Sequence, residues 1–188
     1  MTQPIRGKCL VSASHLRDPN FFKTVVLMIE HGDQGAMGLV VNRPSTIPVS
    51  NALVKHFELP DADDLVYIGG PVEPSALLVL HNAEDLAGGE REIQPNVYIG
   101  SSPESFEEVV RRIASGDEYL RYRIYSGCAG WAPGQLEQEL ANGDWHVVNP
   151  TPQLPFDPDP YTVYPKLLQQ VYEEHRLLPH TTPNPLLN

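Results

Sequence analysis

Nineteen prolines and fourteen glycines punctuate this chain of 188 residues. Proline fixes φ and removes a backbone donor, and glycine opens conformations closed to other residues. That density predicts many short elements joined by tight connections and argues against a helix bundle. The length suits one domain, and 41% apolar with 20% charged residues allows a packed core. The longest uninterrupted apolar runs, Val25–Ile29 and Ala76–Leu80, are five residues each. A membrane-crossing helix needs about 20, so no membrane insertion is expected. The opening MTQPIRGKCLVSAS shows no apolar segment followed by a small-residue cleavage site. Cys9 and Cys128, the two cysteines, lie far apart. Reduced thiols and a cytoplasmic location are the expectation.

Strand signals fall at Lys8–Ser12, Thr24–Glu30, Ala36–Asn42, Leu65–Ile68, Ala76–His81, Asn96–Ile99, Tyr119–Tyr125 and Trp145–Val148. The continuous apolar run at 25–29 suits a strand covered on both faces. The Gly32-Asp33-Gln34-Gly35 turn pairs it with the next strand as a hairpin. Gly69-Gly70-Pro71 reads as a turn between two strands. A helix over 103–115 has Ser102 as N-cap, Pro103 at its first position and an apolar stripe of Phe106, Val109, Val110 and Ile113. A second spans 134–142. A third spans 164–175, with Tyr164, Leu167, Leu168, Val171 and Tyr172 docking on the core. Val49–Phe57 is a shorter candidate. The proline-rich stretch 149–160 reads as an extended connection along the body. Strands that follow one another early, with helices intervening only later, indicate an α+β domain with a mixed or curled sheet. The domain is expected over 1–178, with a flexible tail at 179–188.

Net charge is −11, with the acid spread along the chain. The phosphate attraction behind most DNA binding has little to act on, so DNA binding is disfavoured. Neither a GxGxxG nor a GxxxxGK[ST] phosphate loop occurs. The seven histidines show no i,i+3 or i,i+4 pair and no zinc spacing. No GxSxG nucleophile motif occurs, and Cys128, inside Gly127-Cys128-Ala129-Gly130, reads as a small side chain in a tight glycine turn. No catalytic residue, metal or cofactor is assigned. One polar constellation stands out: Glu30, His31 and Asn42 end the hairpin strands and His81 ends another. If those ends converge, histidine and asparagine would line a cleft able to hold a ligand or act as base and amide donor. Equally, such residues satisfy loop backbone groups.

The stretch Glu30-His31, Gly35-Ala36-Met37-Gly38-Leu39-Val40-Val41-Asn42-Arg43-Pro44 resembles the EH-x-GA-x-G-[LV]-x-N-x-P block of the AlgH/YqgE family of bacterial proteins. Leu16, Asp18-Pro19 and Phe21 upstream add to the likeness, as do Gly69-Gly70-Pro71-Val72 and Leu80-His81. The most specific block is Gly130-Trp131-Ala132-Pro133-Gly134-Gln135-Leu136-Glu137, followed by Glu139-Leu140 and Trp145. These blocks run in family order from about residue 5 to residue 178. The resemblance implies a bifurcated mixed sheet, partly closed into a small barrel and surrounded by helices. A transcriptional-regulator label travels with some members through association with alginate production, without a recognised DNA-binding motif. No catalytic residues carry over. Cys9 and Cys128 stand where the pattern leads one to expect ordinary apolar or aromatic residues, so no family-wide thiol mechanism is implied.

The expectation is therefore a non-enzymatic protein acting through an unknown protein partner, with regulation as the role the resemblance implies. The alternative is a small-ligand binder or enzyme using the cleft of Glu30, His31, Asn42 and His81.

Overall fold

A computed structural model describes residues 5–54, 59, 64–100 and 102–175. Among these residues nine strands and four helices follow one another: β1 (Cys9–Ser12), β2 (Val25–Gly32), β3 (Gly35–Val40), β4 (Pro44–Pro48), α1 (Val49–Leu53), β5 (Leu65–Ile68), β6 (Val72–His81), β7 (Tyr98–Gly100), α2 (Pro103–Ala114), β8 (Tyr122–Trp131), α3 (Gln135–Ala141), β9 (Trp145–Val148) and α4 (Pro160–His175). The sheet runs β4-β5-β8-β3-β2-β1-β9, with β6 branching from β8 and β7 pairing on β6. Among the described residues the β5–β8 pairing alone is parallel; the other strand pairings are antiparallel. The sheet curls into a half-barrel, so the α+β class holds.

β8 is where the sheet divides. Ser126 pairs with Ile68 of β5 and also with Leu77 of β6, which requires opposite edges of one strand. Farther along, Ala129–Trp131 pair with β3. The same strand feeds all three cores: Ile124 packs with α1 and α2, Tyr125 with α4, and Ala129 and Trp131 with α3. β2 confirms burial on both faces. Val25, Leu27 and Ile29 enter one core while Val26 and Met28 enter another, as strand alternation requires.

Several expectations are refined or corrected. The turn expected at Gly69-Gly70-Pro71 does join two strands, β5 and β6, and it carries the chain across β8 from one edge to the other. A Cβ on Gly69 would fall on the Gly127 carbonyl, and one on Gly70 on the Cys128 carbonyl group. Two glycine motifs thus form one crossing at which only backbone fits. Cys128 lies in a strand, since β8 continues through 127–130. β4, bounded by prolines, carries no strand signal in the sequence because proline at both ends resembles a loop; as a sheet-edge strand it tolerates them. β6 begins at Val72, ahead of the apolar run, after which a bulge shifts register. α4 begins at Pro160 within the stretch read as extended. The Asp159 carboxylate accepts from the Tyr161 amide at 3.2 Å, and Pro160 occupies the first turn, where no donor is needed. A short 3-10 turn, Leu154–Phe156, interrupts that stretch as well. α1 ends at Leu53; residues 55–57 of the expected helix and the expected tail at 179–188 lie outside the described residues.

Candidate functional site

The four residues expected to share a cleft do not meet. In the β2–β3 hairpin His31 pairs with Ala36 and Val26 with Val40. Glu30 and His31 therefore sit at its closed tip. Asn42 follows the open end, beside the start of β2. Antiparallel pairing sets the last residues of successive strands at opposite ends, here roughly 20 Å apart. His81 lies in β6, paired with Tyr98 and Tyr122.

Each has a local role. The Asn42 side chain accepts from the Val25 amide at 2.8 Å and donates to the Lys23 carbonyl at 3.0 Å, pinning the turn into β2. His31 receives the Ile5 amide at Nδ1, 3.4 Å away, and its Nε2 lies 2.9 Å from Glu137 Oε1. With Nδ1 accepting, the ring proton belongs on Nε2 and is donated to Glu137. Both nitrogens are committed, leaving no lone pair for a general base. Glu30 is exposed at the tip. His81 is wholly buried, its ring stacked near Tyr98, and neither nitrogen makes a hydrogen bond of good geometry. Burial lowers its pKa to about 4, against smaller raising influences from the Ala83 backbone and Asp85. It is a neutral, sealed imidazole.

The tryptophan motif is equally self-contained. Indole donors of Trp131 and Trp145 both reach Glu139 Oε2 at 2.8 Å, while the Gln135 amide donates to Oε1 at 2.9 Å. Phe21 stacks on Trp131 and meets Trp145 edge-on. Gly134, at φ 77, turns the chain into α3, and Leu136 is buried beneath it. Gly35, Gly38 and Gly130 lie along the β3–β8 seam, which brings the early motif block against the late one. These motif residues build shape. Burial raises the thiol pKa of Cys9 and of Cys128, with Glu73 adding to the second. Neither thiol is poised as a nucleophile.

A concave site does exist, at the other end of the hairpin. A groove of about 820 Å³ runs between α4 and the Lys23/Arg43 corner. Tyr161, Tyr164, Pro165, Leu168 and Tyr172 form one wall; Lys23, Asn42 and Arg43 form the other. Asn42 is the one expected cleft residue that lines it. The Arg43 guanidinium donates to the carbonyls of Pro19, Asn20 and Phe22, so it organises the loop before β2. Lys23, at φ 54, holds its ammonium 5.2 Å from the Phe22 ring centre. Tyr164 is spent on the Ser12 carbonyl at 3.0 Å. Tyr161 and Tyr172 are 75% and 49% exposed, and their hydroxyls have no hydrogen-bond partner among the described residues. The sequence pattern docks both Leu168 and Tyr172 on the core; Leu168 does pack against it, half-buried, and Tyr172 does not. The signal against that was the stripe's width. Leu167, Leu168, Val171 and Tyr172 form two adjacent rows, and a flat contact buries one fully. Leu167 and Val171 are buried; Tyr172 is left outside.

With this geometry in view, the comparisons are consistent. The AlgH-like family model matches residues 9–176. The chain belongs to the AlgH-like family. A UPF0301 protein from Chlorobium luteolum is 30% identical over 182 residues, covering 97% of this chain and 94% of that one. Another, from a Marinomonas species, is 37% identical over 143 residues, 73% of each. The solution structure of AlgH from Pseudomonas aeruginosa superposes with a TM-score of 0.69 at 32% identity, covering 94% of this chain and 93% of that one. The crystal structure of DIP2367 from Corynebacterium diphtheriae gives 0.71 at 28% identity, covering 90% and 88%. These AlgH-like structures share the mixed α+β fold with its half-barrel. No helix among the described residues is long and apolar enough to cross a membrane.

Proposed function

We propose that this AlgH-like chain is a non-enzymatic binding protein whose recognition site is the groove between α4 and the Lys23/Arg43 corner. It works in the bacterial cytoplasm through a protein partner, in the regulatory capacity that its family resemblance implies. One observation carries the reading. The conspicuous polar motif side chains His31, Asn42, Glu137 and Glu139 are bonded within the fold, whereas the groove keeps two exposed tyrosines with uncommitted hydroxyls. Concave, mostly apolar sites of roughly 300–1,000 Å³ with a few polar groups are the usual form of a ligand site. Exposed tyrosines are the side chains from which partners draw most contact energy. DNA is not the partner this reading names, given the net charge of −11.

The test compares wild-type chain with a Tyr161→Ala/Tyr172→Ala double variant as baits in native lysate, then repeats the measurement with the purified partner by calorimetry. The reading expects one partner held by wild type and weakened tenfold or so by the double variant. A partner bound equally by both, or turnover of a metabolite that depends on His31 or His81, overturns it.

A further inference from the structure

The walls of the groove are chemically unequal, and the inequality specifies a ligand class. This step rests on the groove being the recognition site. One wall offers aromatic and aliphatic surface from Tyr161, Pro165, Leu168 and Tyr172; the facing wall carries Lys23 and Arg43. Neither cation has a salt-bridge partner among the described residues. Arg43 spends its hydrogens on three carbonyls and lies in the field of the Asp18 carboxylate, so the open positive charge of this wall is that of Lys23. The Lys23 ammonium is held by the Phe22 ring alone. An ammonium over a ring face stays available to an anion, since the ring supplies no negative charge. Glu173, on the aromatic side, is engaged by the Gln169 amide at 2.8 Å. A second negative charge on the ligand would meet that carboxylate, so one anionic head is favoured over two. Pro165 has no N–H, which leaves the Tyr161 carbonyl without its i+4 donor at the same wall.

We infer that what the groove takes from its protein partner is a single carboxylate set against Lys23, with the apolar surface next to it laid on Tyr161, Leu168 and Tyr172; a small organic anion with an aromatic body mimics the pair. The chain as a whole repels anions, with a net charge of −11. Affinity must therefore come from this local juxtaposition of charge and apolar surface and not from long-range attraction.

Two fluorescent probes separate the parts. 1-Anilino-8-naphthalenesulfonate carries an aromatic body and one anionic head; N-phenyl-1-naphthylamine has a similar body and no charge. Full-length chain is titrated with each, together with Lys23→Gly, Lys23→Arg and the Tyr161→Ala/Tyr172→Ala variant. Glycine suits the left-handed backbone at position 23, so folding is retained, and near-ultraviolet circular dichroism checks this. The expected result is sulfonate binding weakened about fivefold by Lys23→Gly and restored by Lys23→Arg, with the neutral probe unaffected by either. The double tyrosine variant should weaken both probes. If Lys23→Gly moves both probes alike or neither, the anion assignment fails while the groove stands. If the tyrosine variant leaves both unchanged, the groove itself fails as a site.

Discussion

The tryptophan corner and the tyrosine groove are both aromatic, and they use their polar atoms in opposite ways. At the corner, Glu139 collects two indole donors and an amide, and Glu137 takes up His31. The groove leaves the hydroxyls of Tyr161 and Tyr172 and the ammonium of Lys23 open to solvent. A buried polar group that loses its partner costs about 1–3 kcal/mol, whereas an exposed one costs little. The corner is therefore where change is punished by unfolding, and the groove where it is felt only in binding. The densest sequence motif marks the first kind of place.

Four measurements would break or sharpen that contrast. Trp131→Ala should cost roughly 3–5 kcal/mol in urea melts, since the indole is buried between Phe21 and Trp145; a loss below about 1 kcal/mol would make the ring peripheral. Glu139→Leu should cost about 2–3 kcal/mol by stranding two indole donors, with Glu139→Gln recovering part of it. Equal losses for the two would deny the carboxylate its role. His81 tests a polar group that is unpaired yet sealed. Its folded pKa of about 4 lies below the ordinary 6.5, so between those values the unfolded chain takes up a proton that the folded chain refuses. Its contribution to stability is full above about pH 6.5 and is lost as pH falls toward 4, on the order of 3 kcal/mol. His81→Leu should flatten that part of the profile, and a parallel acid decline in variant and wild type would remove His81 as the cause. Smallest of all, Tyr161→Ser and Tyr172→Ser should each shift stability by under about 0.5 kcal/mol. A larger loss would move the groove into the structural class.

Much of this was legible from local pattern. The stripe of α2 with its Ser102 cap, which accepts from the Ser105 amide at 3.1 Å, needs only neighbours in sequence. So does the doubly buried β2. What was illegible depended on long-range pairing. Gly69 and Gly127 look like two separate turns until the chain is seen to cross itself. Asn42 and His31 look like one edge until the hairpin's direction separates them. The groove was hidden for a third reason: Tyr172 and Val171 read alike in an apolar stripe two rows wide, and only the packing against the sheet decides which row is fully covered.

The strand that divides the sheet has a mechanical consequence. β8 lends residues to three cores and edges to three neighbouring strands, so a load applied to either half of the molecule is borne by the same ten residues. Loosening either half therefore disturbs pairings that the other half shares through β8. On the proposal above, the groove is expected to meet its partner as a rigid receptor, with the message carried by what is bound and not by a change in the fold.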